Sequence, residues 1–185
     1  MSHRHATSRR HFLRHSVSLA AAGAVSGLAT PANAALPGAR GVAMAHTHTR
    51  ESIDLVYAVQ ERYVPESLGR LNHFLRDHYS GEVGVIDPQV FDLLHRVRQV
   101  LGSTAAYEVI SGYRGAATNS HLRASRGGGV ASKSLHMEGR AIDVRLPGVA
   151  LADLRDAALS LRAGGVGYYP RESFVHIDTG RVRHW

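Results

Sequence analysis

The 185-residue sequence contains no cysteine, so neither disulfide staples nor thiolate metal ligands are available to it. Any metal site must be built from His, Asp and Glu, the donor set of hydrolytic zinc. A long hydrophobic run is also missing. The most apolar stretch, Val17 to Ala29, is Ala-rich, short and weakly hydrophobic, which excludes a membrane span. No internal repeat or low-complexity tract is present, and no basic run is interleaved with aromatics. The formal net charge of +7 therefore does not indicate a nucleic-acid partner.

Much of that charge sits at the beginning of the chain. Ser8-Arg9-Arg10-His11-Phe12-Leu13-Arg14 is a twin-arginine sequence, followed by the apolar stretch and the small-x-small site Ala32-Asn33-Ala34. It reads as an export signal (residues 1–34) removed after about Ala34, which places the mature protein in the bacterial periplasm with no stable membrane insertion. Arg4, Arg9, Arg10 and Arg14 leave with the signal. The 22 basic and 15 acidic residues become 18 − 15 = +3, a mild attraction to anionic polymers such as cell-wall glycans.

Residues 35–50, rich in Gly, Ala, Thr and His without periodicity, read as a flexible linker, with His46 and His48 in a solvated tail. Residues 51–185 fit one domain. Ile53 to Tyr57 has the texture of a strand. Leu68, Leu71, Phe74 and Leu75 recur at helical spacing, and Asp87-Pro88 followed by Val90, Phe91, Leu94 and Val97 gives a capped helix. Tyr107 to Ile110, Ala141 to Arg145, Gly165 to Tyr169 and Phe174 to Asp178 read as strands, and Leu151 to Leu161 as a helix. Gly115 to Lys133 reads as a long functional loop. Helices first and strands after predict an α+β fold: N-terminal helices packed on a small, mainly antiparallel sheet that carries the site.

Two segments carry the chemistry: Ser134-Leu135-His136-Met137-Glu138-Gly139-Arg140-Ala141-Ile142-Asp143 and Phe174-Val175-His176-Ile177-Asp178. Period-2 alternation sends Asp143 to the face opposite Ile142 and Val144, and puts His176 and Asp178 opposite Val175 and Ile177. A turn at Met137-Glu138-Gly139 folds His136 back toward Asp143. Two imidazoles and one carboxylate leave the fourth position of a tetrahedral Zn2+ to water, the arrangement of a catalytic site.

These segments, with Ser111-Gly112-Tyr113-Arg114, Thr118-Asn119, Gly165-Val166-Gly167-Tyr168-Tyr169-Pro170 and Arg181-Val182-Arg183-His184-Trp185, resemble the zinc peptidases of the D-alanyl-D-alanine-carboxypeptidase type, which share a fold with the hedgehog signalling domain. The nearest likeness is to their YcbK-like branch of exported murein endopeptidases, over residues 50–185. The resemblance implies zinc on His136, Asp143 and His176, and Arg114 as the cation at the scissile carbonyl. It implies hydrolysis of peptide cross-links in peptidoglycan, with stem peptides as substrate. The wider family places Glu or Asp three residues before the last histidine ligand as general base; here that residue is Ser173, which cannot take a proton at neutral pH. Asp178, His184 and Glu172 are the replacements, with His184 favoured as base and Asp178 as the holder of a ligand histidine. Two other functions fit the same residues, a DD- or LD-carboxypeptidase and a non-catalytic, zinc-stabilised wall-binding module.

Overall fold

A computed structural model describes residues 37–125 and 130–185; the twin-arginine segment lies outside the described residues. The chain enters through three strands, β1 (Ala39–His46), β2 (Ser52–Val59) and β3 (Arg62–Tyr63). Helices α1 (Pro65–Phe74) and α2 (Pro88–Val100) follow, then β4 (Tyr107–Ser111), α3 (Ala116–Ser125), a 3₁₀ turn over Leu135–Glu138, β5 (Ala141–Arg145) and α4 (Leu151–Ser160). Strands β6 (Gly165–Tyr169), β7 (Phe174–Asp178) and β8 (Arg183–His184) complete an eight-stranded mixed sheet of order β3-β2-β1-β4-β5-β7-β6-β8.

The α+β class stands, but the sheet is neither small nor approached by helices first. Strand β1 lies inside it, antiparallel to β2 and parallel to β4. Half of the segment read as a linker, residues 39–46, is therefore a strand. Its signal is faint because Val42, Met44 and His46 alternate with Gly41, Ala43 and Ala45: the inward residues are buried, and the small outward ones carry no hydrophobic mark. Strand β8 pairs in parallel with β6, a second departure from antiparallel order. The stretch Gly115 to Lys133 is also not all loop, since α3 occupies its first half with Thr118, Asn119 and Leu122 buried.

Other elements form where the residues require them. Asp87 caps α2 by accepting the Gln89 backbone N–H at 3.0 Å, and Pro88 stands in the first turn, where its missing N–H costs nothing. Val90, Phe91, Leu94 and Val97 face inward and meet Leu71 and Phe74 of α1, Leu154 of α4, and Ile142, Val144, Val175 and Ile177 of the sheet in one core. Leu122 of α3 is not part of it. Because Ile142, Val144, Val175 and Ile177 anchor β5 and β7 in this core, the alternate residues Asp143 and His176 are committed to the other face.

Candidate metal centre and active-site cleft

Asp143 and His176 are direct cross-strand partners of β5 and β7. The His176 Nδ1 lies 2.8 Å from Asp143 Oδ1. His136 arrives from the 3₁₀ turn, which ends at Gly139 with φ of 65°, and a Cβ there would overlap the Val85 carbonyl oxygen. The Asp87 N–H donates to the Gly139 carbonyl at 2.9 Å, bracing the turn against the entry to α2. His136 Nε2 thereby comes within 3.2 Å of His176 Nδ1 and 3.3 Å of Asp143 Oδ1. One donor atom from each residue lies within 4.8 Å of the other two, and all three side chains are buried.

Hydrogen bonds outside the trio fix the tautomers. His136 Nδ1 is 2.7 Å from the Gly112 carbonyl, which only accepts, so that nitrogen carries the hydrogen and Nε2 keeps its lone pair. His176 Nε2 is 3.2 Å from Asp178 Oδ2, a carboxylate, so it too carries a hydrogen; Nδ1, facing Asp143, is the nitrogen whose lone pair becomes available to a cation that displaces its proton. Burial alone would raise the Asp143 carboxyl, but the charges and hydrogen bonds of His136 and His176 hold it well below the usual carboxylate range. For His176 burial works downward, and the Asp143 and Asp178 carboxylates reverse it, lifting the imidazole to about 9. A site that draws positive charge so strongly, with two imidazole nitrogens and one carboxylate oxygen converging, fits a divalent cation.

The trio opens into a cleft of about 580 Å³ that Arg114, Lys133, Tyr169, Glu172, Phe174, Arg183 and Trp185 also line. The Arg114 guanidinium stands 3.8 Å from Asp143 Oδ2 and 3.4 Å from Ser111 Oγ, and its backbone N–H donates to the His136 carbonyl at 3.2 Å. Its place beside the trio is the one expected. Asp178 is fully buried and does not line the cleft; besides His176 it accepts the backbone N–H groups of Gly165 and Gly180 and the forked guanidinium of Arg183. That geometry suits a residue that orients His176 and gives no access to solvent or substrate. Burial pushes its carboxyl up, but these donors outweigh it and hold the group well below its ordinary range.

His184 is not brought to the cleft. It is exposed on β8, while its neighbours Arg183 and Trp185 face the site, as alternation along a strand requires. Glu172 is brought there. Ser173 has a φ of 58°, a left-handed turn that puts Glu172 in the metal cleft and Ser173 in a separate pocket beside Arg145 and Tyr168. Counting three residues back from His176 finds the serine; the turn places the carboxylate one residue earlier at the site. Tyr169 and Trp185 belong to the cleft wall without having been singled out, although the alternation Arg183-His184-Trp185 held the signal.

Comparison with known proteins identifies the family. The family model described as peptidoglycan L,D-endopeptidase MepK matches residues 34–185. The chain belongs to that family. It is similar to peptidoglycan L,D-endopeptidase MepK of Escherichia coli strain K12, with 49% identity over 160 residues that make up 85% of this chain and 87% of the relative. It is also similar to the probable peptidoglycan L,D-endopeptidase MepK of Haemophilus influenzae, with 40% identity over 139 residues, 75% of this chain and 74% of the relative. No solved structure matches. Membership makes the chain a peptidase, and the match begins at residue 34, before β1, in accord with a domain that starts ahead of residue 51. Among the described residues no helix is long and apolar enough to cross a membrane.

Proposed function

We propose that the protein is a zinc-dependent peptidoglycan endopeptidase that cleaves L,D peptide cross-links between stem peptides. It reaches the periplasm by the twin-arginine route and loses residues 1–34 there. The observation that carries the reading is the convergence of His136 Nε2, Asp143 Oδ1 and His176 Nδ1, with the opposite nitrogen of each imidazole committed to a neighbour. Zinc bound to these residues supplies a Lewis acid and water of lowered pKa at neutral pH.

The chain's own residues supply the rest. Arg114 offers a fixed cation beside the trio for the charge that develops on the scissile carbonyl oxygen. Glu172, in the cleft, takes the proton of the attacking water and returns it to the leaving nitrogen. Asp178 holds His176 in its Nε2–H tautomer and does not itself exchange protons with substrate.

Incubating the mature protein separately with cross-linked dimers and uncross-linked monomers of purified wall peptides tests this reading. Dimers are cut into monomers, a chelator stops the reaction, and added zinc restores it. Glu172→Gln retains about one zinc per chain and loses roughly 10²–10⁴-fold in kcat, whereas His184→Ala stays near wild type. Trimming of monomers with dimers left intact would instead identify a carboxypeptidase. A metal-loaded protein that cuts neither would be a binding module.

A further inference from the structure

In the segment that follows β7, Arg183 ties the chain to the carboxylate behind the candidate metal centre. Arg183 donates to both oxygens of Asp178, from one terminal nitrogen to Oδ2 at 2.7 Å and from the other to Oδ1 at 3.1 Å, while Asp178 in turn fixes His176. The same guanidinium sits over the Trp185 ring, 4.9 Å from its centroid. Trp185 is held from three further directions. Its backbone N–H donates to the Val166 carbonyl at 3.3 Å, its own carbonyl accepts the Tyr168 N–H at 3.0 Å, and its indole N–H donates to the Tyr169 hydroxyl at 2.7 Å. The indole lies where a Cβ on Gly167 would stand, 2.7 Å from the nearest ring carbons, so only glycine at that position admits it.

So many restraints on an aromatic side chain that remains 48% exposed are not explained by packing, because the half left in solvent gains nothing from burial. The exposed part faces the cleft, beside the Tyr169 and Phe174 rings, which stack at 4.5 Å. Its ring centroid is 5.3 Å from that of His176. At about 3.5 Å of reach per extended residue, whatever rests on this wall lies within about one or two residues of the scissile bond.

We infer that Trp185, held in place by Arg183, is a specificity-determining residue that packs the aliphatic side chain of the amino acid flanking the scissile bond. The chemical class it selects is a peptide with a long methylene chain at that position, as diaminopimelate has, over one with alanine there. Arg183 is a positioning residue: it sets the indole and, through Asp178, the His176 ring. The inference rests on the peptidase reading.

Trp185 is the only tryptophan in the sequence, so its fluorescence reports on this wall without interference. Titrating the zinc-loaded wild type with purified product peptides that carry diaminopimelate shifts and saturates the emission, and alanine-containing analogues do so only at higher concentration. Trp185→Ala raises KM for cross-linked dimers about tenfold or more, with zinc content intact and a smaller change in kcat, and loses the preference over the alanine analogue. Trp185→Phe recovers most of both, which also guards against a folding defect. Arg183→Ala red-shifts the emission of the free protein and raises KM; Arg183→Lys, a cation without the fork, recovers part. Unchanged KM and preference in Trp185→Ala, or emission indifferent to product peptides while the wild type cleaves dimers, overturns the assignment. Failure of the wild type to cleave any wall peptide would instead defeat the peptidase reading, with the emission titration still deciding the subsite.

Discussion

Among the described residues two groups of histidines are built on opposite principles. In the first, His136 and His176 meet the carboxylates of Asp143 and Asp178, every ring nitrogen has a polar neighbour, and His176 is lifted to about 9. In the second, at the end of β1 and beyond α1, His46, His48 and His78 lie against one another and against Phe74. Ring centroids are 5.5 Å apart for His46 and His78, and 4.1 Å apart for the stacked pair His48 and His78. Burial foremost, and then the nearby imidazole of His48, pushes His46 and His78 down to about 4. His46 Nδ1 accepts the backbone N–H of His48 at 3.2 Å, capping the β1–β2 turn, while the Nε2 atoms of His46 and His78 are buried without a partner. No carboxylate among the described residues hydrogen-bonds any of these three imidazoles, and they pack against one another as aromatic rings. What separates the two groups is the set of acceptors behind the rings.

The comparison breaks most sharply at the ligands. His136→Ala, Asp143→Ala and His176→Ala each abolish zinc binding and activity, whereas His48→Ala leaves elemental analysis at about one zinc per chain. Two ions per wild-type chain, with one lost in His48→Ala, would make the second group a metal site and end the contrast. Asp143→Asn keeps the shape without the charge, and weaker zinc binding there separates the two contributions.

Next in size is Arg114→Ala, which lowers kcat on the order of 100-fold with zinc retained, and Arg114→Lys recovers part of it. Steady-state kinetics on cross-linked dimers measures both. Removing the carboxylate behind one ligand has a smaller effect: Asp178→Ala weakens zinc roughly 10- to 100-fold in competition with a chromophoric chelator. An unchanged affinity would mean that His176 is oriented by β7 alone.

The smallest effect is in the second group and is read by pH. A histidine whose pKa is lowered on folding binds its proton more readily in the unfolded chain, so it contributes stability above about 6.5 that is lost as pH falls toward 4. His78→Phe removes one of the two groups and flattens that fall in thermal melts between pH 7 and 4. An unaltered slope in His78→Phe would show that acid acts elsewhere.

The parts of the fold that announce themselves in the sequence are those with strong local chemistry. The Asp87-Pro88 cap, the stripe of α2, and the alternation of β5 and β7 each follow from side-chain types at fixed spacing. The convergence of His136, Asp143 and His176 was legible for the same reason, since buried polar residues on apolar strands require partners. Strand β1 was not, because small residues on its outward face erased the contrast that marks a strand. Helix α3 hid in polar, small residues whose apolar stripe reduces to Leu122. Glu172 was obscured by a single dihedral angle: period-2 counting passes through Ser173 as though it were extended, and its φ of 58° is not. His184 was placed by its chemistry, when strand parity assigns the cleft to Arg183 and Trp185 instead.

Asp143 and His176 owe their separation to the pairing register of β5 and β7, in which facing residues on a common side of the sheet stand about 5 Å apart. Chain length plays no part in that spacing. The turn at Pro170–Ser173, which brings Glu172 to the cleft, can therefore shift without changing the spacing of Asp143 and His176. Two of the three donors are thus placed by sheet pairing, while the third and the cleft carboxylate are placed by turns.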